Sequence, residues 1–421
     1  MYYKHLLTKF MLPKNYKTFI LSLSLTTGIA ACHAAPQQTA AADTGKGAPV
    51  ETIKPNSDYK SAFPGQTRIT GVKTKMAVTA TVINSELKQP WALCVLPDGR
   101  FLITQKGGTM RILKADGQAD KTIANLPAVL AQGQGGLLDV NIDPDFKTNR
   151  MLFWDYAEVT PEGNILAVAK GKLSADETQV ENIEVIYRAK PAYRGALQYG
   201  SRILFDKQGN LFVSTGERSG GDIRMKAQDL SAAIGKVLHL TKDGKAVPGG
   251  PFANTPNALP EIYAYGFRNP EGMAWNPATG ELWEDEFGPR GGDEINIIRP
   301  GNNYGWPVVT YGIEYSGEKV GDGIQQKEGV TQPIYYWDPV ISPCGITFYT
   351  GDMIPEWKGN LFVAALSGSH IARLVIKDNK VVGEERLFKD KRERWRSLAT
   401  GKDGALYGVT DNGKMYRIAK Q

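Results

Sequence analysis

The chain has 421 residues, 42% hydrophobic and 22% charged, with three cysteines, four histidines and a formal charge of +6. That length buries a sizeable core and could hold two domains. Residues 1–31 hold four lysines and no acid, so the remainder carries a net charge of only +2 and offers no basic patch for nucleic acid.

Lys4, Lys9, Lys14 and Lys17 precede the apolar run FILSLSLTTGIAA, which ends at Cys32. A run of about thirteen apolar and small residues is too short to span a bilayer, so residues 1–31 read as a targeting segment. Ile29-Ala30-Ala31-Cys32 is similar to a bacterial lipobox, in which the cysteine is lipidated and becomes the new N-terminus; ordinary cleavage after Ala34 or Ala35 is the alternative. His33 after the cysteine, rather than an aspartate, resembles outer-membrane sorting. The expected location is the periplasmic face of the outer membrane, or the soluble periplasm under the alternative. Residues 32–76 are rich in Ala, Pro, Gln, Thr and Gly without sustained periodicity and read as a flexible tether. Beyond the anchor only Cys94 and Cys344 remain, and their pairing stays open at this point.

From residue 77 to 421 a pattern of apolar strand, turn and second apolar strand recurs. It appears at 91–105, 137–156, 201–217, 272–286, 345–366 and 397–411, for example as WALCVLPDGRFLITQ and SRILFDKQGNLFVSTGE. Six such units predict an all-β fold, a six-bladed β-propeller in one domain, with long inserts between hairpins carrying function. A double-sheet sandwich is the alternative, but it does not require six similar hairpins.

The stretch from Glu261 to Pro307 packs Arg268-Asn269, a Gly-Pro turn and five clustered acids in WEDEFGPRGGDE between turn signals. Acids beside loop carbonyls supply hard oxygen ligands, which suits Ca²⁺ better than zinc or iron. The Arg268 fork and the Asn269 amide suit a planar, oxygen-rich anion. Solvated turn charges are the bland alternative.

YGFRNPEGMAWNP, EFGPRGGDEINI, NNYGWP and GQGGLLDVNIDPDF, in that family's order, resemble the soluble pyrroloquinoline quinone (PQQ)-dependent aldose sugar dehydrogenases of the glucose/sorbosone dehydrogenase family. The resemblance implies a six-bladed propeller that holds PQQ near its axis and oxidises the C1 hydroxyl of aldoses to lactones. By motif it implies that Gln134, Arg268 and Asn269 touch the cofactor. It also implies that the Gly288 and Pro289 carbonyls hold a bridging Ca²⁺, and that Glu294 and the Tyr304 carbonyl hold a structural Ca²⁺. Tyr315, Ser342, Pro343, Cys344, Arg394 and Arg396 would complete the cofactor wall. PQQ carries three carboxylates, and Arg394 and Arg396, two apart, would present both guanidiniums to one face. The glycines at 133, 135 and 136 would permit close approach to a flat ring, or form a plain turn.

The departures bear on activity. Where the family has a histidine as general base, this chain has Gln198, and a carboxamide has no useful basicity. Phe287 replaces another family histidine, and Ser367 replaces a cofactor-facing lysine. Of the four histidines, His5 and His33 precede the globular part, His239 reads as structural, and His370 is a weak substitute base. Glu217 is the better candidate acid. Two classes stay open: a sugar dehydrogenase passing electrons to a periplasmic acceptor, and a non-catalytic sugar- or PQQ-binding lipoprotein. No Ser-His-Asp or metal-histidine constellation supports a hydrolase.

Overall fold

The computed structural model describes residues 47–421, and each predicted hairpin opens a four-stranded antiparallel sheet. The targeting segment and Cys32 lie outside the described residues. β1 (Val78–Asn84) precedes the first full blade, which is β2 (Pro90–Val95), β3 (Phe101–Gln105), β4 (Thr109–Leu113) and β5 (Ala119–Ile123). The second is β6 (Leu137–Ile142), β7 (Met151–Thr160), β8 (Gly163–Leu173) and β9 (Val180–Arg188). The third is β10 (Gly200–Phe205), β11 (Leu211–Thr215), β12 (Lys236–Leu240) and β13 (Ile262–Tyr265). The fourth is β14 (Pro270–Trp275), β15 (Leu282–Glu286), β16 (Asp293–Ile298) and β17 (Tyr335–Trp337). The fifth is β18 (Pro343–Phe348), β19 (Leu361–Ala365), β20 (His370–Lys377) and β21 (Lys380–Leu387). The sixth joins the two ends of the domain: β22 (Trp395–Thr400), β23 (Leu406–Thr410) and β24 (Met415–Lys420) pair outward to β1.

This is the six-bladed propeller expected from the hairpins. Each blade's first strand touches the first strands of its two neighbours, and the sixth touches the first, which closes the ring. Both faces of a blade are therefore covered. The second strands FLITQ, LFVST, LFVAA and LYGVT are buried at every position, so they read as continuous apolar runs rather than alternating ones. Aromatics fill the gaps between blades: Trp283 of the fourth meets Phe348 of the fifth edge-on, with centroids 5.3 Å apart. Truncating such a buried tryptophan to alanine costs about 3–5 kcal/mol.

Unlike those four, β15, LWEDE, is equally buried but carries Glu284, Asp285 and Glu286. Near the axis Arg202 ties five blades together. Its guanidinium donates to the Glu271 carbonyl, to the Cys344 carbonyl at 2.9 Å and to Asp139 at 2.8 Å, and lies over the Trp91 ring.

The tether expected over 32–76 is corrected from residue 47 onward, where the chain lies against the propeller. The Asp338 carboxylate accepts from the Asn56 backbone at 2.9 Å and from its Nδ2 at 2.7 Å. Arg68 donates to the Asp338 carbonyl at 2.6 Å. Gln66 is fully buried and bonds the Pro333 carbonyl, and Thr74 donates twice to Glu385. Dispersed polar residues form this strap through individual hydrogen bonds, which no periodicity announces.

Candidate active site

In every blade the opening residue of the first strand pairs with a residue near the end of the second, and a bulge follows at once. These six bulged ends share one end of the propeller. Gln134, Gln198, Arg268, Ser342 and Arg394 sit just before first strands, whereas Glu217, Phe287, Gly288 and Ser367 sit just after second strands. Residues scattered over 260 positions of sequence are thereby gathered at one mouth.

Across the mouth runs an unbroken polar chain. Arg394 Nε donates to Asp411 at 3.0 Å and Arg396 Nε to the other Asp411 oxygen at 2.9 Å. Arg396 Nη1 reaches Glu271 at 3.1 Å. Glu271 accepts from Asn269 Nδ2 at 2.9 Å, and Asn269 Oδ1 accepts from the Gly200 N–H at 2.9 Å. Burial opposes the charge on Arg396, but Asp411 and Glu271 hold its pKa above the ordinary value. The two arginines thus converge as expected. Asn269 does not line the opening; it is fully buried with both amide ends engaged.

At the third blade, Gln198 has a left-handed backbone, φ 49°, and its N–H donates to Gln134 Oε1 at 2.6 Å. Gln198 is 4% exposed and its own Oε1 has no partner. The Arg218 N–H holds the Gln198 carbonyl at 3.1 Å, which places Glu217 alongside. Glu217 is 1% exposed, and its Oε2 also has no partner. Burial pushes Glu217 up to about 7, against the pull of Arg268, Arg224 and Arg218. Each of these buried acceptors is open to a ligand's donor, since an orphaned polar group costs about 1–3 kcal/mol.

Arg268 donates to the carbonyls of Phe287 at 3.1 Å and Gly288 at 2.7 Å, lies over Trp306, and reaches the Tyr315 hydroxyl at 3.5 Å. Tyr315 is 71% exposed at the rim. The Gly288 carbonyl, expected on Ca²⁺, is therefore engaged by a guanidinium. Behind it Glu286 and Glu294 face each other across β15 and β16, and both line a small cavity with Tyr304 and Arg268. Burial lifts Glu286 to about 7. Burial, and then the Glu286 charge, lifts Glu294 well above the carboxylate range. Glu284 Oε1 is left without a partner. Among the described residues no three acid, histidine or cysteine side chains converge as a ready-made metal site. A cation here would take backbone carbonyls as well, and the surplus of buried acid fits one.

Two further expectations, for Cys344 and His370, are corrected. Cys344 is fully buried, its thiol donating to the Trp395 and Arg396 carbonyls, so it is core rather than cofactor wall. Cys94 and Cys344 are both free thiols. His370 is no substitute base: its Nδ1 bonds the Gly368 carbonyl at 2.7 Å, and burial and then Arg386 of the outer strand β21 depress it to about 4. His239 is structural, stacked on Phe212 and bonded to Asp206 at 2.8 Å. Ser342 and Ser367 bond each other at 2.7 Å, a neutral wall where a cation was expected to be missing.

Lys106, Asp411 and Glu271 were missed. Glu271 lies inside the YGFRNPEG motif, two residues past Asn269, but nothing local marks Lys106 or Asp411; only the ring brings Lys106 of the first blade beside Arg396 and Asp411 of the sixth.

Residues 87–417 match the family model of glucose/sorbosone dehydrogenase. The chain belongs to that family. It is 39% identical to the aldose sugar dehydrogenase YliI of Escherichia coli over 347 residues, 81% of this chain and 93% of that one. The crystal structure of the soluble aldose sugar dehydrogenase from Escherichia coli, in its apo form, superposes with TM-score 0.78 at 38% identity, covering 82% of this chain and 99% of that chain. A PQQ-bound aldose sugar dehydrogenase from Streptomyces coelicolor superposes with TM-score 0.68 at 26% identity, over 83% and 99% of the two chains. Within the glucose/sorbosone dehydrogenases, this chain thus shares the whole propeller, and its mouth carries glutamine at 198, phenylalanine at 287 and serine at 367.

Proposed function

We propose that this chain is a PQQ-dependent aldose dehydrogenase, oxidising the C1 hydroxyl of a sugar to a lactone and passing electrons to a periplasmic acceptor, but slowed by the carboxamide at position 198. The observation that carries this reading is the convergence of Arg394, Arg396 and Arg268 on one mouth beside two unsatisfied buried acceptors, Gln198 and Glu217. A planar tricarboxylate fits such a mouth, because guanidiniums bind carboxylates in the plane and in pairs. When bound, PQQ would supply the two-electron acceptor, with Ca²⁺ as its Lewis acid.

The chain's own residues do the rest. Arg394 and Arg396 orient the carboxylates, and Asp411 fixes both guanidiniums. Gln198 can hydrogen-bond a sugar hydroxyl but takes no proton from it. Glu217 is the protonatable group left beside it, and Arg268 supplies positive charge as the C1 oxygen gains negative charge. Cys32 anchors the mature protein to the periplasmic face of the outer membrane, supported by the four lysines and the Ile-Ala-Ala-Cys junction.

The test is reconstitution with PQQ and Ca²⁺, followed by quinone absorbance and by dye reduction over a panel of aldoses. Slow, PQQ-dependent turnover supports the reading. Absence of PQQ binding overturns it. Gln198 favours one second reading, a propeller that binds PQQ or sugar without turnover; saturable binding with no dye reduction would select it.

A further inference from the structure

We propose that Lys106 is a cofactor-binding residue, a carboxylate-binding cation on the first blade that takes over from the cation missing at Ser367 on the fifth. The inference rests on the PQQ reading above and adds a residue that neither the motifs nor the relatives' names assign.

The position of Lys106 is fixed at both ends. Its N–H donates to the Gln89 carbonyl and its own carbonyl accepts from Leu137, each at 3.0 Å, so the residue is locked between the first and second blades. Its Nζ donates to the Gly133 carbonyl, beside Gln134. An ammonium has three donors, so two remain free. No carboxylate lies within salt-bridge distance of it among the described residues, although Lys106 is half-buried. Three groups set the field around it: Arg396 repels, and Asp411 and Glu271 attract. Burial, then Arg396, holds its pKa below the ordinary lysine value, so an incoming carboxylate would relieve both the repulsion and the unmet donors. Asp411 is already shared by Arg394 and Arg396 and cannot neutralise a third cation. Across the mouth, the Ser342–Ser367 hydroxyl pair leaves the fifth-blade wall neutral. Apart from Arg268 on the fourth blade, the named cations of this mouth thus lie on the first and sixth blades.

A merely structural lysine would hold up the Gly133 turn and do nothing else. To separate the roles, the full-length apoprotein is titrated with PQQ in Ca²⁺ and followed by quinone absorbance. Loss of a charge-assisted bond predicts at least a tenfold rise in Kd for Lys106→Met. Lys106→Arg should stay close to wild type. Lys402→Met, at the opposite end of the propeller beside Gly99, should leave Kd unchanged. In the wild type, bound PQQ should also protect Lys106 from acetylation, read by mass spectrometry. A Lys106→Met Kd within twofold of wild type, or no protection of Lys106, overturns the proposal. Wild-type protein that binds no PQQ instead overturns the underlying reading of the site.

Discussion

Arg268 Nη1 lies 2.7 Å from the Gly288 carbonyl oxygen, the atom that the family resemblance assigns to a bridging Ca²⁺. A guanidinium and a divalent cation cannot share that oxygen without strong repulsion. We predict that Arg268→Gln binds Ca²⁺ at least tenfold tighter than wild type while losing affinity for PQQ. Calorimetry with each ligand separates the two effects. Equal or weaker Ca²⁺ binding by the variant would show that the arginine does not compete for this carbonyl.

A second cation is predicted deeper in the fourth blade. Glu286 and Glu294 oppose each other in a buried strand pair, and burial pushes both above the carboxylate range. A divalent cation would let both ionise. Ca²⁺ at a hundred times its Kd should stabilise the fold by about 2.7 kcal/mol even without PQQ. Chelation should lower Tm, and Glu294→Gln should remove that sensitivity. A melting curve indifferent to chelator contradicts the site.

Glu217 makes stability depend on pH. Its pKa of about 7 lies above the 4.5 of an unperturbed glutamate, so the folded state binds the proton more tightly than the unfolded chain. Stability is therefore lost as pH rises from 4.5 to 7, by a few kcal/mol in total. Glu217→Gln cannot titrate. Its advantage over wild type should be small at pH 4 and greatest above pH 7, as read from denaturant unfolding of the apoprotein. Parallel pH profiles would contradict a burial penalty on the Glu217 carboxylate.

The anchor is tested in cells. Cys32→Ser should either leave the protein unprocessed or release it from the membrane fraction, because stable anchoring would need the lipid chains that a lipobox cysteine carries. A wild type that is already soluble, with a mature start beyond Ala34, contradicts the lipobox reading.

The hairpins were legible because blades cover each other on both faces. LFVST and LFVAA are largely apolar runs for that reason, and their turns are marked by Gln208-Gly209 and Lys358-Gly359. The mouth was legible only where a motif carried it, as with Arg268 and Arg396. Lys106 and Asp411 sit 305 positions apart and become neighbours only when the ring closes. Asn269 stands beside Arg268 in the same motif, yet its amide is used up between Gly200 and Glu271, and sequence cannot say which of two adjacent side chains faces a ligand. The strap over 47–76 reads as a flexible tether because composition does not reveal that Gln66 is held by Pro333 and Tyr311, and Thr74 by Glu385 and Trp357.

The central claim is that the dehydrogenase machinery stands and that its base is missing at position 198. General-base catalysis contributes roughly 10²- to 10⁴-fold to rate. The decisive measurement is PQQ- and Ca²⁺-dependent dye reduction with aldoses by wild type and Gln198→His, with quinone absorbance confirming equal loading. The account predicts slow turnover in the wild type and at least a tenfold rise in kcat on installing the histidine. Brisk wild-type turnover that Gln198→His leaves flat would contradict it, and Glu217 would be the residue to mutate next.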